Sequence, residues 1–144
     1  MEDLGEVFGV IGLISIIFLV SRPLLQVVVE QLRKNGKTLP SWFKKFFQFV
    51  NKNHRYAGFV AVGAIAVHFI LQFTHYGMVP VAGLVAGTAL AIQGVLGFGL
   101  TKQKDKERRK KLARVHRVWG MFVFLAVLFH RVSYWIVYGK FFYF

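Results

Sequence analysis

Residues 54–68 read HRYAGFVAVGAIAVH, and residues 116–130 read HRVWGMFVFLAVLFH. Both stretches open on His-Arg, carry glycine at the fifth position and close on a second histidine fourteen residues after the first. The intervening side chains are almost wholly apolar, and in hydrocarbon a backbone satisfies its polar groups only by coiling into a helix. Fourteen residues make four turns at 3.5 per turn, the repeat of left-handed packed helices, so both histidines of one copy face the same seam. They stand about 21 Å apart along the axis at 1.5 Å per residue, too far for one metal to take both from a single helix.

The two seams sit inside longer apolar segments. Crossing the hydrocarbon takes roughly 20 mainly apolar residues, and four segments qualify: 7–29, 54–73, 79–100 and 112–138. The expected fold is all-α, a single integral membrane domain over residues 1–144 built as a four-helix bundle. Composition agrees, with 56% hydrophobic residues, 16 Phe and only 6 acidic side chains, where soluble domains average about 45–50% apolar. Glu2, Asp3 and Glu6 precede the first apolar run, whereas a cleaved secretory signal has a basic start, so this run reads as a retained span. Ser21-Arg22-Pro23 interrupts it, and proline removes a helical hydrogen bond and kinks the chain. Arg22 either snorkels to headgroups or meets an anionic group. After a turn at Asn35-Gly36-Lys37, residues 41–50 (SWFKKFFQFV) set aromatics beside lysines, which predicts a short amphipathic helix in the membrane interface.

A formal charge of +13 raises the question of nucleic acid, and its placement answers it. Seven of the 19 Lys and Arg fall between Arg33 and Arg55, and nine between Lys102 and Arg117. Both clusters flank spans, and two crossings separate them, so they mark one side of a bilayer. The positive-inside rule makes that side cytoplasmic in a plasma membrane and puts both termini outside. Lipid is then the partner that the charge and apolar content imply, not nucleic acid. Self-association into an oligomer is compatible with such a surface. Spans two and four run parallel, so His54 meets His116 near the inner face and His68 meets His130 near the outer face.

Cysteine is absent, which excludes disulfides, iron–sulfur clusters and thiolate ligation from this polypeptide. An iron porphyrin fits paired imidazoles on facing helices, one axial ligand from each side. Two such pairs imply two haems b. Gly58 and Gly120 lie one turn beyond the inner histidines, where a side chain would crowd a porphyrin edge. Gly83, Gly87, Gly94, Gly97 and Gly99 give the third span a surface that allows close approach, which helix packing alone also explains. Arg55, Arg117 and Arg131 each follow a proposed ligand and could pair with propionates; interfacial snorkelling is the competing account for Arg55 and Arg117. His75 has no counterpart in the fourth span and reads as a loop or interfacial residue. Trp42, Trp119, Tyr134, Trp135, Tyr138 and Tyr143 read as membrane-belt aromatics.

On these residues the sequence resembles transmembrane di-haem b-type cytochromes, especially the ferric reductase and NADPH oxidase membrane domain, and also small bacterial cytochrome b proteins. The resemblance covers the four spans and implies an inner haem on His54 and His116 and an outer haem on His68 and His130. It implies transmembrane electron transfer from the inner to the outer face, as a ferric-reductase-like or quinol-linked cytochrome b. The expected metal ligands are thus His54, His116, His68 and His130, and any enzyme activity would be that of an oxidoreductase. The reductases usually add a cytoplasmic flavin and nicotinamide module, and no Rossmann-type glycine motif is visible here. Electrons are therefore expected from a quinol or a separate flavoprotein, with quinone as a further ligand and an external acceptor. The alternative is a metal-ion or proton transporter subunit using its intramembrane histidines. Such sites usually need carboxylates in the membrane, and Glu2, Asp3, Glu6, Glu30, Asp105 and Glu107 all lie at or beyond its boundaries.

Overall fold

The structure is a computed structural model that describes residues 2–138, with the side chains of residues 2, 3 and 138 outside the description; Tyr143 and the end of the chain at Phe144 therefore fall outside it. Four helices follow one another: α1 (Glu2–Lys34), α2 (Ser41–Tyr76), α3 (Val81–Lys102) and α4 (Lys106–Tyr138). Each is long and apolar enough to cross a membrane.

Every helix but α3 outruns its apolar segment, because hydropathy marks the hydrocarbon while helix breakers mark the ends. α1 continues to the turn at Gly36, whose φ of 66° belongs to the left-handed region that glycine reaches without strain. α2 ends the same way: Gly77 has φ 68° and donates its N–H to the Phe73 carbonyl at 2.9 Å. Pro80 delays α3 to Val81, two residues beyond the expected start at 79. Asp105 caps α4, its carboxylate accepting the Arg108 N–H at 2.7 Å.

One expectation changes. Residues 41–50 are not a separate surface helix but the first turns of α2. No proline or glycine lies between Ser41 and Ala57 to end the helix. Val50 is fully buried, and Phe49 meets Phe18 of α1 edge-on at 6.1 Å, so the segment is held by α1. At 1.5 Å per residue the 36-residue α2 is about 54 Å long, well beyond the roughly 30 Å of hydrocarbon. α1 likewise remains one helix through Pro23.

The helices form two hairpins, α1 against α2 and α3 against α4, with narrower contacts from α2 to α3 and from α1 to α4. Among the described residues no Cα of α2 comes within 8 Å of a Cα of α4. The two histidine-bearing helices therefore stand diagonally across the bundle. Its core joins Ile16, Val20, Ala61, Ala89, Leu90 and Val123. Ala61 lies seven residues from both His54 and His68, and Val123 seven from both His116 and His130. They are 0% and 3% exposed, as a 3.5-residue seam requires of its midpoint. The core is thus an apolar layer between two levels of histidine.

Candidate functional site

At the end of the bundle that carries the basic connections, the seam brings His54 and His116 together. Their ring centroids are 6.4 Å apart and their planes 79° from parallel. Arg22 of α1 belongs to this level. Its Nε donates to Asn51 Oδ1 at 2.7 Å, and its charge acts on both imidazoles and on Arg117. At the other end His68 and His130 are electrostatic neighbours, with Arg131 beside His130. The rings of His54 and His116 are thus brought face to edge, while His68 and His130 are related by their electrostatic influence alone. Arg55 instead turns onto its own helix, its guanidinium 5.7 Å from the Phe59 ring centroid, a cation–π contact. His75 lies at the end of α2 against Tyr76 at 4.6 Å, away from both pairs.

Glycines of the neighbouring helices seat the histidines. A Cβ on Gly97 would lie 3.3 Å from His116 Cε1, and one on Gly83 would lie 3.0 Å from His130 Cε1. On α1, a Cβ on Gly9 would lie 3.0 Å from His68 Nδ1. Gly83 and Gly97 are fourteen residues apart, the same interval as the histidines they face. That match is readable in the sequence, where the glycines of the third span otherwise describe only a general close-approach surface. Gly5, Gly9 and Gly12 of α1, which meet Gln72, His68 and Ile65, form a small-residue stripe that was also readable and was missed.

Gly58 faces open space, with nothing within 4 Å of a Cβ there, as is also true of Gly63 and Gly87. Gly120 does something else: the space of its absent side chain is taken by Gln93 of α3, whose Nε2 would be 2.9 Å from a Cβ. That amide donates to the His116 carbonyl at 3.0 Å and stands 3.4 Å from His116 Nε2, leaving Gln93 Oε1 buried without a partner. Gln93 escaped the sequence reading because one amide in an apolar span carries no pattern.

The donor set tests what could be held here. His68 Nδ1 lies 2.7 Å from the Gly5 carbonyl. A carbonyl only accepts, so Nδ1 carries the proton and Nε2 keeps its lone pair for a metal. Nδ1 of His54, His116 and His130 is buried without a hydrogen-bond partner, so of the four only His68 has its tautomer fixed by a neighbour. Among the described residues no three His, Cys, Asp or Glu converge, so a bare zinc or copper would be short of protein ligands. Two imidazoles suffice when a macrocycle supplies the equatorial donors. A metal–imidazole bond is roughly 2 Å and the ring centroid lies roughly 1 Å behind the nitrogen, which puts two axial rings on one metal roughly 6 Å apart. The ring separation of His54 and His116 is compatible with a bis-histidine haem at that level.

No family model, no curated protein and no solved structure matches this chain. Its reading rests on its own residues: a four-helix bundle of membrane-spanning length with two levels of paired histidines.

Proposed function

We propose that this protein is a transmembrane di-haem cytochrome b that carries electrons between the two faces of a membrane. One observation carries the reading: histidines fourteen residues apart on two diagonal helices form two pairs, and the pair at the basic end holds its rings 6.4 Å apart. Bound haem would supply a one-electron Fe(III)/Fe(II) couple at each level.

The chain's own residues do the rest. His54 and His116 hold the group at the basic end, and His68 and His130 hold the other. The Gly5 carbonyl keeps His68 in the tautomer that presents Nε2 and raises its basicity. Arg22 and Arg117 place two cations beside the first pair, and Arg131 one beside the second, matching a cofactor with carboxylates. With His54, His116, His68 and His130 all engaged in holding it, bound haem would supply electron transfer to a donor or acceptor without binding a substrate itself. The basic face is the cytoplasmic one on the positive-inside rule, with reducing equivalents entering there from a quinol or a separate flavoprotein and leaving to an acceptor outside.

Purified protein supplied with haem during expression should show sharp reduced bands of six-coordinate, low-spin haem b and an extractable stoichiometry of two per chain. One haem per chain, or a dominant high-spin spectrum, refutes the paired-ligand assignment. Protein that binds no haem but binds a divalent cation returns the transporter reading.

A further inference from the structure

A groove of ≈ 290 Å³ opens at the basic end, between the last turns of α1, the connection through Leu39 and the first turns of α2. Arg33 and Lys44 line it from different helices, with Gln48 between them in kind, and Val29, Phe43 and Phe47 give it apolar walls. No carboxylate lines it. The nearest acid in sequence, Glu30, is occupied by the Gln26 amide at 3.0 Å.

We propose that this groove binds an anionic phospholipid, with the headgroup phosphate between Arg33 and Lys44 and the upper acyl chain against Val29, Phe43 and Phe47. At ≈ 290 Å³ the groove has room for a phosphate with a small polyol. Chemistry selects it further. Two cations on separate helices line one groove, and its apolar walls favour an anion that brings its own hydrocarbon. Basic pockets between membrane helices recognise lipid headgroups in this way. Exposed Trp42 and Phe46, on the same turns of α2, place the groove at the depth of the headgroups. The bound lipid also adds to the ties between α1 and the extended start of α2, beside the Phe18–Phe49 contact and the Arg22–Asn51 hydrogen bond.

The test uses the full chain in nanodiscs of phosphatidylcholine, titrated with phosphatidylglycerol and read by native mass spectrometry. Wild-type protein should retain one phosphatidylglycerol more tightly than any further copy, and should not retain phosphatidylcholine in its place. Arg33→Gln with Lys44→Gln should weaken that first site by roughly thirtyfold, from two headgroup-facing cations. Lys110→Gln with Lys111→Gln removes equal charge from the exposed start of α4 and should leave the first site intact. Gln48→Trp, at an exposed position of the groove lining, keeps both cations and fills the groove; it should abolish the site and stands in for the double variant should that fail to fold. Excess inorganic phosphate should not displace the lipid. Equal loss in both double variants would make the attraction one of general surface charge, and displacement by phosphate would make the groove a simple anion site; either result overturns the proposal.

Discussion

Gly97 of α3 faces His116 of α4 so closely that a Cβ on the glycine would stand 3.3 Å from the imidazole. Fourteen residues earlier, Gly83 repeats the arrangement against His130 at 3.0 Å. The α3 helix thus carries a negative image of the α4 seam, and the aim of each ring depends on a missing side chain on the neighbouring helix.

Substitution at these glycines should separate seating from helix propensity. Gly83→Val should displace His130 and release the haem at its level, and Gly97→Val should do the same to His116, each leaving one haem per chain in a pyridine haemochrome assay. Gly87→Ala, with nothing within 4 Å of its new Cβ, should keep both haems and raise stability by about 0.5–1 kcal/mol from the entropy glycine loses in a helix. Loss of haem from the Gly87 variant instead would show that the cradle, and not the seat, is the sensitive feature.

Ligand pairing gives a second expectation. His54→Ala and His116→Ala should remove the same spectral component, and His68→Ala and His130→Ala the other, while His75→Ala leaves both. Redox-resolved absorption spectra of the five variants decide it. A His54 variant that matched His130→Ala alone would mean that the bound state pairs the helices in another register.

The hydrogen bond from His68 Nδ1 to the Gly5 carbonyl predicts an asymmetry between the two levels. In Gly9→Ala the new methyl would sit 3.0 Å from that nitrogen and push the ring off its acceptor. A ligand that loses such a partner becomes less basic, so the midpoint potential of this haem should rise and its retention weaken by roughly tenfold. Potentiometric titration should find the potential of the other haem unchanged. A shift in both would point to a general loosening of the bundle.

Topology is testable because the chain contains no cysteine. Single cysteines at Lys37, in the connection between α1 and α2, and at Lys106, where α4 begins, should react with an impermeant maleimide only from the cytoplasm. A cysteine at Met78, between α2 and α3, should react only from outside. Labelling of position 106 on intact cells would invert the orientation.

The helices were legible in the sequence because length and apolarity leave few alternatives in hydrocarbon, and the four histidines because a fourteen-residue interval occurs twice. The extent of α2 was less legible. Lysines and aromatics over 41–50 describe an interfacial surface, yet Val50 and Phe49 dock on α1, and a helix with no breaker continues wherever it is packed. Gln93 and Asn51 were invisible for a related reason. Each matters through a single contact with a partner distant in sequence, His116 at an interval of 23 and Arg22 at one of 29. Gly120 shows the limit of reading a repeat literally. It matches Gly58 in position, but α3 inserts an amide beside it and leaves Gly58 open.

The layer of Ala61, Val123, Ile16, Val20 and Leu90 contains no buried polar side chain among the described residues. Proton hopping needs an unbroken relay of donors and acceptors at hydrogen-bond distance, and this layer breaks it midway between histidines about 21 Å apart. Tunnelling electrons need no such relay. Under the proposed reading, electrons passing between the two levels would cross this layer, whereas protons would find no relay through it.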